Sequence, residues 1–281
     1  MTKISFLNGK FIEHSKAMIH IDDRAMQFAD SVYEVTLVHN GNLVDGDLHW
    51  KRLANSLSKM KIPMAYSIEQ FNDFAKQLIQ QNAITTGSLY IQVTRGVAPR
   101  NQLMPEDITP TVIMTISEFK LPVVDVLNTQ VKVISQPDIR WQMCDVKSTG
   151  LLIGSLYKQK AVDLGFDDVI MLRDDVVTEC CFSNIFIVKN NQLITHPLDN
   201  HVLAGVTRHR IIELAQEQQI TTIERKFSFV ELLAADEVFS SSTTTFIRPI
   251  HIVDNLAIAS GQTGEISKQL FSSYLNFVKS M

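Results

Sequence analysis

The chain has 281 residues, 45% of them hydrophobic, 20% charged and 8% aromatic, which is the balance of a globular protein able to bury a sizeable core. Its 26 Lys+Arg against 30 Asp+Glu leave a net charge of −4, and no basic cluster is visible, which argues against nucleic acid as a ligand. The longest apolar-leaning stretches, 121–127 and 182–188, are far too short to span a membrane, and Cys144, Cys180 and Cys181 cannot make a disulfide framework, so a reduced, cytoplasmic protein is expected.

The opening Met1–Phe6 lacks the apolar core of a secretion signal and runs straight into a strand pattern. Ile4–Leu7, Asn8-Gly9 and Lys10–Ile12 read as a hairpin, because Asn-Gly accepts the positive φ angles of a type I′ turn. A second hairpin is expected at Tyr33–Val38, Asn40-Gly41 and Leu43-Val44. Leu48, Arg52, Leu53, Leu57 and Met60 keep helical spacing up to Pro63, and Ser67 with Gln70 forms a capping box opening a helix over Ile68–Gln81. Strands Leu89–Thr94 and Thr111–Ile116 close the first domain, 1–118. Segment 119–128, with Pro122 among loose apolar residues, reads as a linker to a second domain, 129–281.

The second domain opens with strand Gln130–Ser135 and an apolar helix from about Thr149 to Leu164. Strands Asp168–Leu172, Asn184–Lys189 and Gln192–Thr195 follow, then a helix from Gly205-Val206-Thr207 through Ala215. Ser228-x-x-Glu231 caps a short helix, strand Glu237–Ser241 leads into Ser242-Thr243-Thr244-Thr245, and a last helix starts at Glu265. The alternation is not that of a doubly wound sheet. The expected fold is therefore two α/β or α+β domains with a site between them.

Gly-x-Gly-x-x-Gly, the phosphate-binding Gly-x-x-x-x-Gly-Lys-Ser/Thr, His-Glu-x-x-His and Gly-x-Ser-x-Gly are all absent from the sequence. The eight histidines are scattered, so no metal site is expected. Lys147, at a strand-to-helix junction ahead of Leu151-Leu152-Ile153, is either a solvated lysine or an amine that forms an imine with an aldehyde. The second role requires loss of a proton that a lysine of ordinary pKa holds at neutral pH by about 4–5 kcal/mol. Glu179 enters an apolar strand, where a carboxylate needs a partner: an arginine, a helix start, or a protonated ring nitrogen of a cofactor. Gly205-Val206-Thr207 at a helix start and Ser242-Thr243 after a strand suit a phosphate, though helix caps look the same. Arg52 is a surface charge or a bidentate phosphate ligand.

Taken in order, these residues resemble the fold-type IV, class IV pyridoxal-phosphate-dependent aminotransferases, most of all the D-amino-acid (D-alanine) aminotransferases. The resemblance runs over the whole chain. It is carried by Asp23–Val35, His49-Trp50-Lys51-Arg52-Leu53, Gln92–Arg100, Asp138-Ile139-Arg140-Trp141, Asp145-Val146-Lys147-Ser148, Val177-Thr178-Glu179 with Ser183-Asn184, and Leu203–Arg208. It implies a two-domain fold of that type, with the cofactor in the second domain and a homodimeric assembly. It also implies that Lys147 holds pyridoxal 5′-phosphate as an internal aldimine and moves a proton between the substrate Cα and the cofactor C4′. Glu179 would pair with the ring nitrogen, supported by Ser183 and Asn184. Arg52, Val206, Thr207, Ser242 and Thr243 would hold the phosphate. Tyr33, Arg100, Gln102 and Thr244 would bind the substrate.

Three departures bear on the activity. Gln102 stands where the relatives have the histidine of an Arg-x-His pair, and a neutral donor there weakens carboxylate binding by about 1 kcal/mol. Cys180-Cys181-Phe182 replaces small residues and is similar to the aminodeoxychorismate lyases, which use the same lysine and cofactor. Arg248 is a surface charge or a recogniser of a second carboxylate. Transamination between a D-amino acid of the D-alanine or D-glutamate type and a 2-oxoacid is therefore the first expectation. The lyase is the second, and a branched-chain or (R)-amine transaminase the third.

Overall fold

The computed structural model describes residues 2–281, and the chain divides into two compact units. The first comprises residues up to 121 together with Val146–Gly150 and the C-terminal residue. It contains β1 (Ile4–Leu7), β2 (Lys10–Glu13), α1 (Arg24–Phe28), β3 (Ser31–His39), β4 (Asn42–Leu43), α2 (Gly46–Lys59), α3 (Ile68–Gln81), β5 (Gly87–Thr94) and β6 (Val112–Glu118). The strands form one antiparallel sheet in the order β2-β1-β6-β5-β3-β4. Both expected hairpins form, with Asn8 and Gly9 at φ 49° and 85° and Asn40 and Gly41 at 49° and 76°. The capping box at Ser67 and Gln70 is present, so α3 starts where its sequence says. Alternation along the central strands sends Val32 and Val38, Leu89, Ile91 and Val93, and Met114 and Ile116 into a core beneath Trp50, Leu53 and Leu57 of α2 and Phe71, Ala75 and Leu78 of α3.

The second unit comprises residues 122–145 and 151–280. In chain order it holds β7 (Lys132–Pro137), α4 (Leu152–Asp163), β8 (Asp168–Arg173), β9 (Val176–Cys180), β10 (Asn184–Lys189), β11 (Gln192–Thr195), α5 (Val206–Glu217) and β12 (Thr222–Glu224). They are followed by α6 (Phe229–Leu233), β13 (Glu237–Ser242), β14 (Phe246–Pro249), β15 (Ile252–Val253), β16 (Leu256–Ala257) and α7 (Glu265–Lys279). The mixed sheet runs β12-β11-β10-β9-β8-β7-β15-β16, and β10 also pairs with β13, which pairs with β14. Odd and even residues of β7 and β8 fill opposite faces. Val133 and Ile170 join Val177, Ile185, Ile187, Phe227 and Leu232, whereas Ile134, Val169 and Met171 pack with Ala161 of α4 and Cys181. The α7 ring Tyr274 meets Phe246 edge-on at 4.8 Å.

Two differences from the sequence reading have physical causes. The helix expected from Thr149 starts at Leu152, because the preceding residues bond across to β3: Tyr33 N donates to Lys147 O at 2.9 Å and Thr149 N to Ser31 O at 3.1 Å. Part of the segment read as linker folds into a 3₁₀ turn, Val124–Asn128. Thr263 ties that turn down by donating to Leu127 O while it contacts His251 Nε2 at 2.9 Å. Among the described residues no helix is long and apolar enough to cross a membrane, and no group of three or more His, Cys, Asp or Glu side chains forms a metal-binding cluster.

Candidate active site

In the first unit the chemistry gathers along the edge of β3. Lys147 has its backbone fixed from two sides, its carbonyl by Tyr33 N at 2.9 Å and its N–H by the Ser56 hydroxyl of α2 at 3.2 Å. Its amine then lies 3.4 Å from the Tyr33 hydroxyl and 4.4 Å from the centre of that ring. Tyr33 is stacked on Tyr90 at 5.7 Å between centroids. From Tyr90 a hydrogen-bond chain runs through Gln92 and Ser31 to Thr149, so the polar face around Tyr33 is ordered by four side chains.

The next residue of β3, Glu34, points to the opposite face and is fully buried (0% exposed). Arg52 of α2 grips it with Nε and Nη2, both at 2.7 Å, and His49 Nδ1 contacts the same carboxylate at 2.7 Å. Burial pushes the Glu34 carboxyl up, but the Arg52 charge and hydrogen bonds outweigh it and hold the group down at about 2. Burial also lowers His49, so beside this carboxylate it is a neutral imidazole. Arg52 is thus neither a surface charge nor a lone one.

Arg100 and Gln102 lie exposed in the loop between β5 and β6. The Arg100 guanidinium sits 4.8 Å over the Phe28 ring, which also carries Arg24 at 4.6 Å. Arg24, itself buried, donates to the carbonyls of Asn101 and Leu103 on either side of Gln102, at 2.7 and 3.4 Å, and to Asp30 at 2.7 Å.

In the second unit Glu179 occupies β9, a strand that the sequence reading did not delimit. Its Oε1 accepts from Arg140 Nη1 at 2.5 Å, and its Oε2 accepts from Asn184 Nδ2 and Leu203 N, each at 3.1 Å. A carboxylate offers about four acceptor positions, so one more donor can be received. Burial raises its pKa and Arg140 opposes the rise. Burial pulls the Arg140 guanidinium down, but its bonds to Asp138 and the attraction of Glu179 hold it above its ordinary value. Asp138 fixes that guanidinium through Nε and Nη2, both at 2.9 Å.

Asn184 pairs with Glu179 across the strands on one side and with Ser241 on the other, so the three share a face of the sheet. The Ser241 hydroxyl is buried with no hydrogen-bond partner. Gly205 precedes α5 and gives it no side-chain cap, and a Cβ there would collide with Asn184 Oδ1. Val206 and Thr207 follow, both buried in the first turn, where backbone N–H groups look outward. Ser183 sits in the β9–β10 turn, its carbonyl bound by Cys180 N at 2.8 Å. Ser242 ends β13, and its hydroxyl is 2.8 Å from that of Thr245, closing the turn that carries the half-buried Thr243 and Thr244. An uncapped helix start and an unpartnered hydroxyl offer donors that suit an anionic end, and a carboxylate with an acceptor position left suits a cationic ring nitrogen.

Other candidates have ordinary roles. Cys180 and Cys181 are buried in the two core faces, and burial pushes the Cys180 thiol well up and that of Cys181 up to about 12, so they pack rather than react. Arg248 binds Asp167 at 2.8 Å. Arg140, Glu34 and His49 were not picked out as site residues. Their sequence signals were an Asp-x-Arg spacing, a charge at an inward position of an apolar strand, and a His three positions before Arg52 on one helix face.

A family model for amino-transferase class IV matches residues 31–253. The chain is 38% identical over 275 residues to the D-alanine aminotransferase of Listeria monocytogenes, covering 96% of this chain and 94% of that one. It is 35% identical over 280 residues to the D-alanine aminotransferase of Staphylococcus epidermidis, covering 100% and 99%. Its fold is similar to that of the branched-chain amino acid aminotransferase of T.th. complexed with N-(5′-phosphopyridoxyl)-L-glutamate, at a TM-score of 0.93 and 20% identity over 100% of this chain and 95% of that one. At that identity the likeness shows the fold alone.

Proposed function

The chain belongs to the class IV aminotransferases, and on that premise we propose that it is a pyridoxal-phosphate-dependent transaminase moving the amino group between a D-amino acid of the D-alanine type and a 2-oxoacid. The observation that carries this is Lys147: a lysine fixed through both its backbone groups, its amine beside a phenol, in a family of aminotransferases. The D-alanine aminotransferases at 35% and 38% identity support the substrate class. The phosphopyridoxyl compound bound to the structural relative supports the cofactor.

The residues fit that cofactor. Lys147 would hold it covalently, and Arg52, Val206, Thr207, Ser242 and Thr243 would hold its phosphate, the orphan Ser241 hydroxyl lying one residue before Ser242. Glu179, supported by Asn184 and Ser183, would accept the ring N–H through its remaining acceptor position. When bound, pyridoxal phosphate supplies the electron sink that makes the substrate Cα–H acidic. The chain's part is to move that proton, and Lys147 Nζ does so, with the Tyr33 hydroxyl at 3.4 Å orienting the amine. Tyr33, Arg100, Gln102 and Thr244 would bind the substrate, the cationic Arg100 taking its carboxylate. A homodimer in the cytoplasm belongs to the same reading.

Lys147→Ala tests it. Turnover and the absorbance of the bound cofactor should both vanish while the circular dichroism spectrum is kept. Retained turnover with an unchanged cofactor spectrum would overturn the assignment.

A further inference from the structure

We infer that Glu34 is a positioning residue that orients Arg52 toward the cofactor phosphate and, through the shared strand β3, ties that guanidinium to the lysine anchor. The inference rests on the cofactor reading above.

Glu34 is hard to explain as a stabilising device. It is fully buried in a core of Val32, Val38 and Leu53, and a buried ion pair of this kind is commonly no more stabilising than apolar residues of the same volume. What such a pair does well is fix geometry. Both carboxylate oxygens engage Arg52, and one of them also takes His49 Nδ1, so the plane of the guanidinium is set by two parallel bonds of 2.7 Å. Held down at about 2, the carboxyl stays ionised at any working pH.

The strand and the helix carry the coupling. Along β3 the consecutive residues Tyr33 and Glu34 face opposite ways. Tyr33 contacts Lys147 through backbone and hydroxyl, at 2.9 and 3.4 Å, and Glu34 holds Arg52. Along α2, His49, Arg52 and Ser56 lie at i, i+3 and i+7 on one face, and Ser56 binds the Lys147 N–H at 3.2 Å. Two elements therefore each touch both proposed anchors, the amine and the guanidinium. An arginine frozen in place during folding loses no rotamer freedom on binding, and the saving appears as affinity for the phosphate.

The experiment strips the holoenzyme of cofactor and titrates the apoenzyme with pyridoxal phosphate and, separately, with pyridoxal, which lacks the phosphate. The readout is the ratio of the two Kd values. Glu34→Gln should narrow that ratio about tenfold, the worth of one charge-assisted hydrogen bond, while the affinity for pyridoxal stays near its wild-type value. A merely structural role would weaken both ligands alike. If the Gln variant yields no folded protein, Glu34→Asp, which keeps the carboxylate and shortens it, reads the same ratio. Narrowing in Arg52→Lys with none in the Glu34 variants would overturn the inference and leave the cofactor reading standing. No narrowing in Arg52→Lys would overturn the phosphate role of Arg52 and the inference with it.

Discussion

Arg140→Met removes the guanidinium that joins Asp138 to Glu179. In the wild-type protein this group gives Nε and Nη2 to Asp138 at 2.9 Å and Nη1 to Glu179 at 2.5 Å, between side chains that are 0% and 6% exposed. Methionine has a similar volume and no charge, so the loss is mainly electrostatic rather than a cavity. Breaking a buried pair by deleting one partner costs about 3–5 kcal/mol, because a charge is left uncompensated. Asp138 keeps Arg173 at 3.3 Å and the Thr178 hydroxyl, and Glu179 keeps Asn184 and the Leu203 N–H. The lower end, about 3 kcal/mol near neutral pH, is therefore expected.

The loss has a pH signature. In the wild type, burial works against Asp138 but its bonds to Arg140 hold the carboxyl below its ordinary value, a stabilisation present above the unfolded pKa and lost as pH falls through the folded one. In the variant, burial acts on both carboxyls with Arg140 no longer opposing it and only Arg173 and the neutral donors left, so both rise and both can be relieved by protonation. The gap between the two proteins should therefore shrink between about pH 7 and pH 5. Urea unfolding followed by circular dichroism at both pH values measures it. A gap below about 1 kcal/mol at neutral pH, or one that widens on acidification, would refute the reasoning.

Two further perturbations follow from packing. Gly205→Ala drives a methyl group into Asn184 Oδ1 and places it 3.1 Å from Arg208 Cβ, so thermal unfolding should show a loss of about 1–3 kcal/mol together with weaker cofactor retention; an unchanged melt would contradict the contact. The buried thiols Cys144, Cys180 and Cys181, all raised by burial, should react with a thiol reagent slowly in the native protein and all three promptly in urea; fast native labelling of any would count against their packing role.

What the sequence made legible was local. Asn-Gly at 8–9 and 40–41 and the boxes Ser67/Gln70 and Ser228/Glu231 contain their whole physical cause within four residues, and each stands where it was expected. Lys147 and Glu179 stood out as charges beside apolar runs and Arg52 as a surface charge or a phosphate ligand, and the family resemblance chose among their alternatives. Their partners were not legible. Glu34 meets Arg52 across 18 positions, Arg140 meets Glu179 across 39, and Lys147 meets Tyr33 across 114, distances over which periodicity carries no information. The short pairings of β12, β15 and β16 escaped for a related reason: strands of two or three residues owe their state to the neighbour they bond.

The most direct test of the central claim is a half-reaction. The purified protein, loaded with pyridoxal phosphate, is mixed with D-alanine in one cuvette and with L-alanine in another, and the cofactor band and released pyruvate are followed together. Loss of the band with stoichiometric pyruvate from D-alanine, and neither from L-alanine, is the result expected of a D-specific transaminase. Equal reaction with both would remove the stereochemical assignment, and no reaction with either would contradict the transaminase reading and make aminodeoxychorismate the next substrate to try.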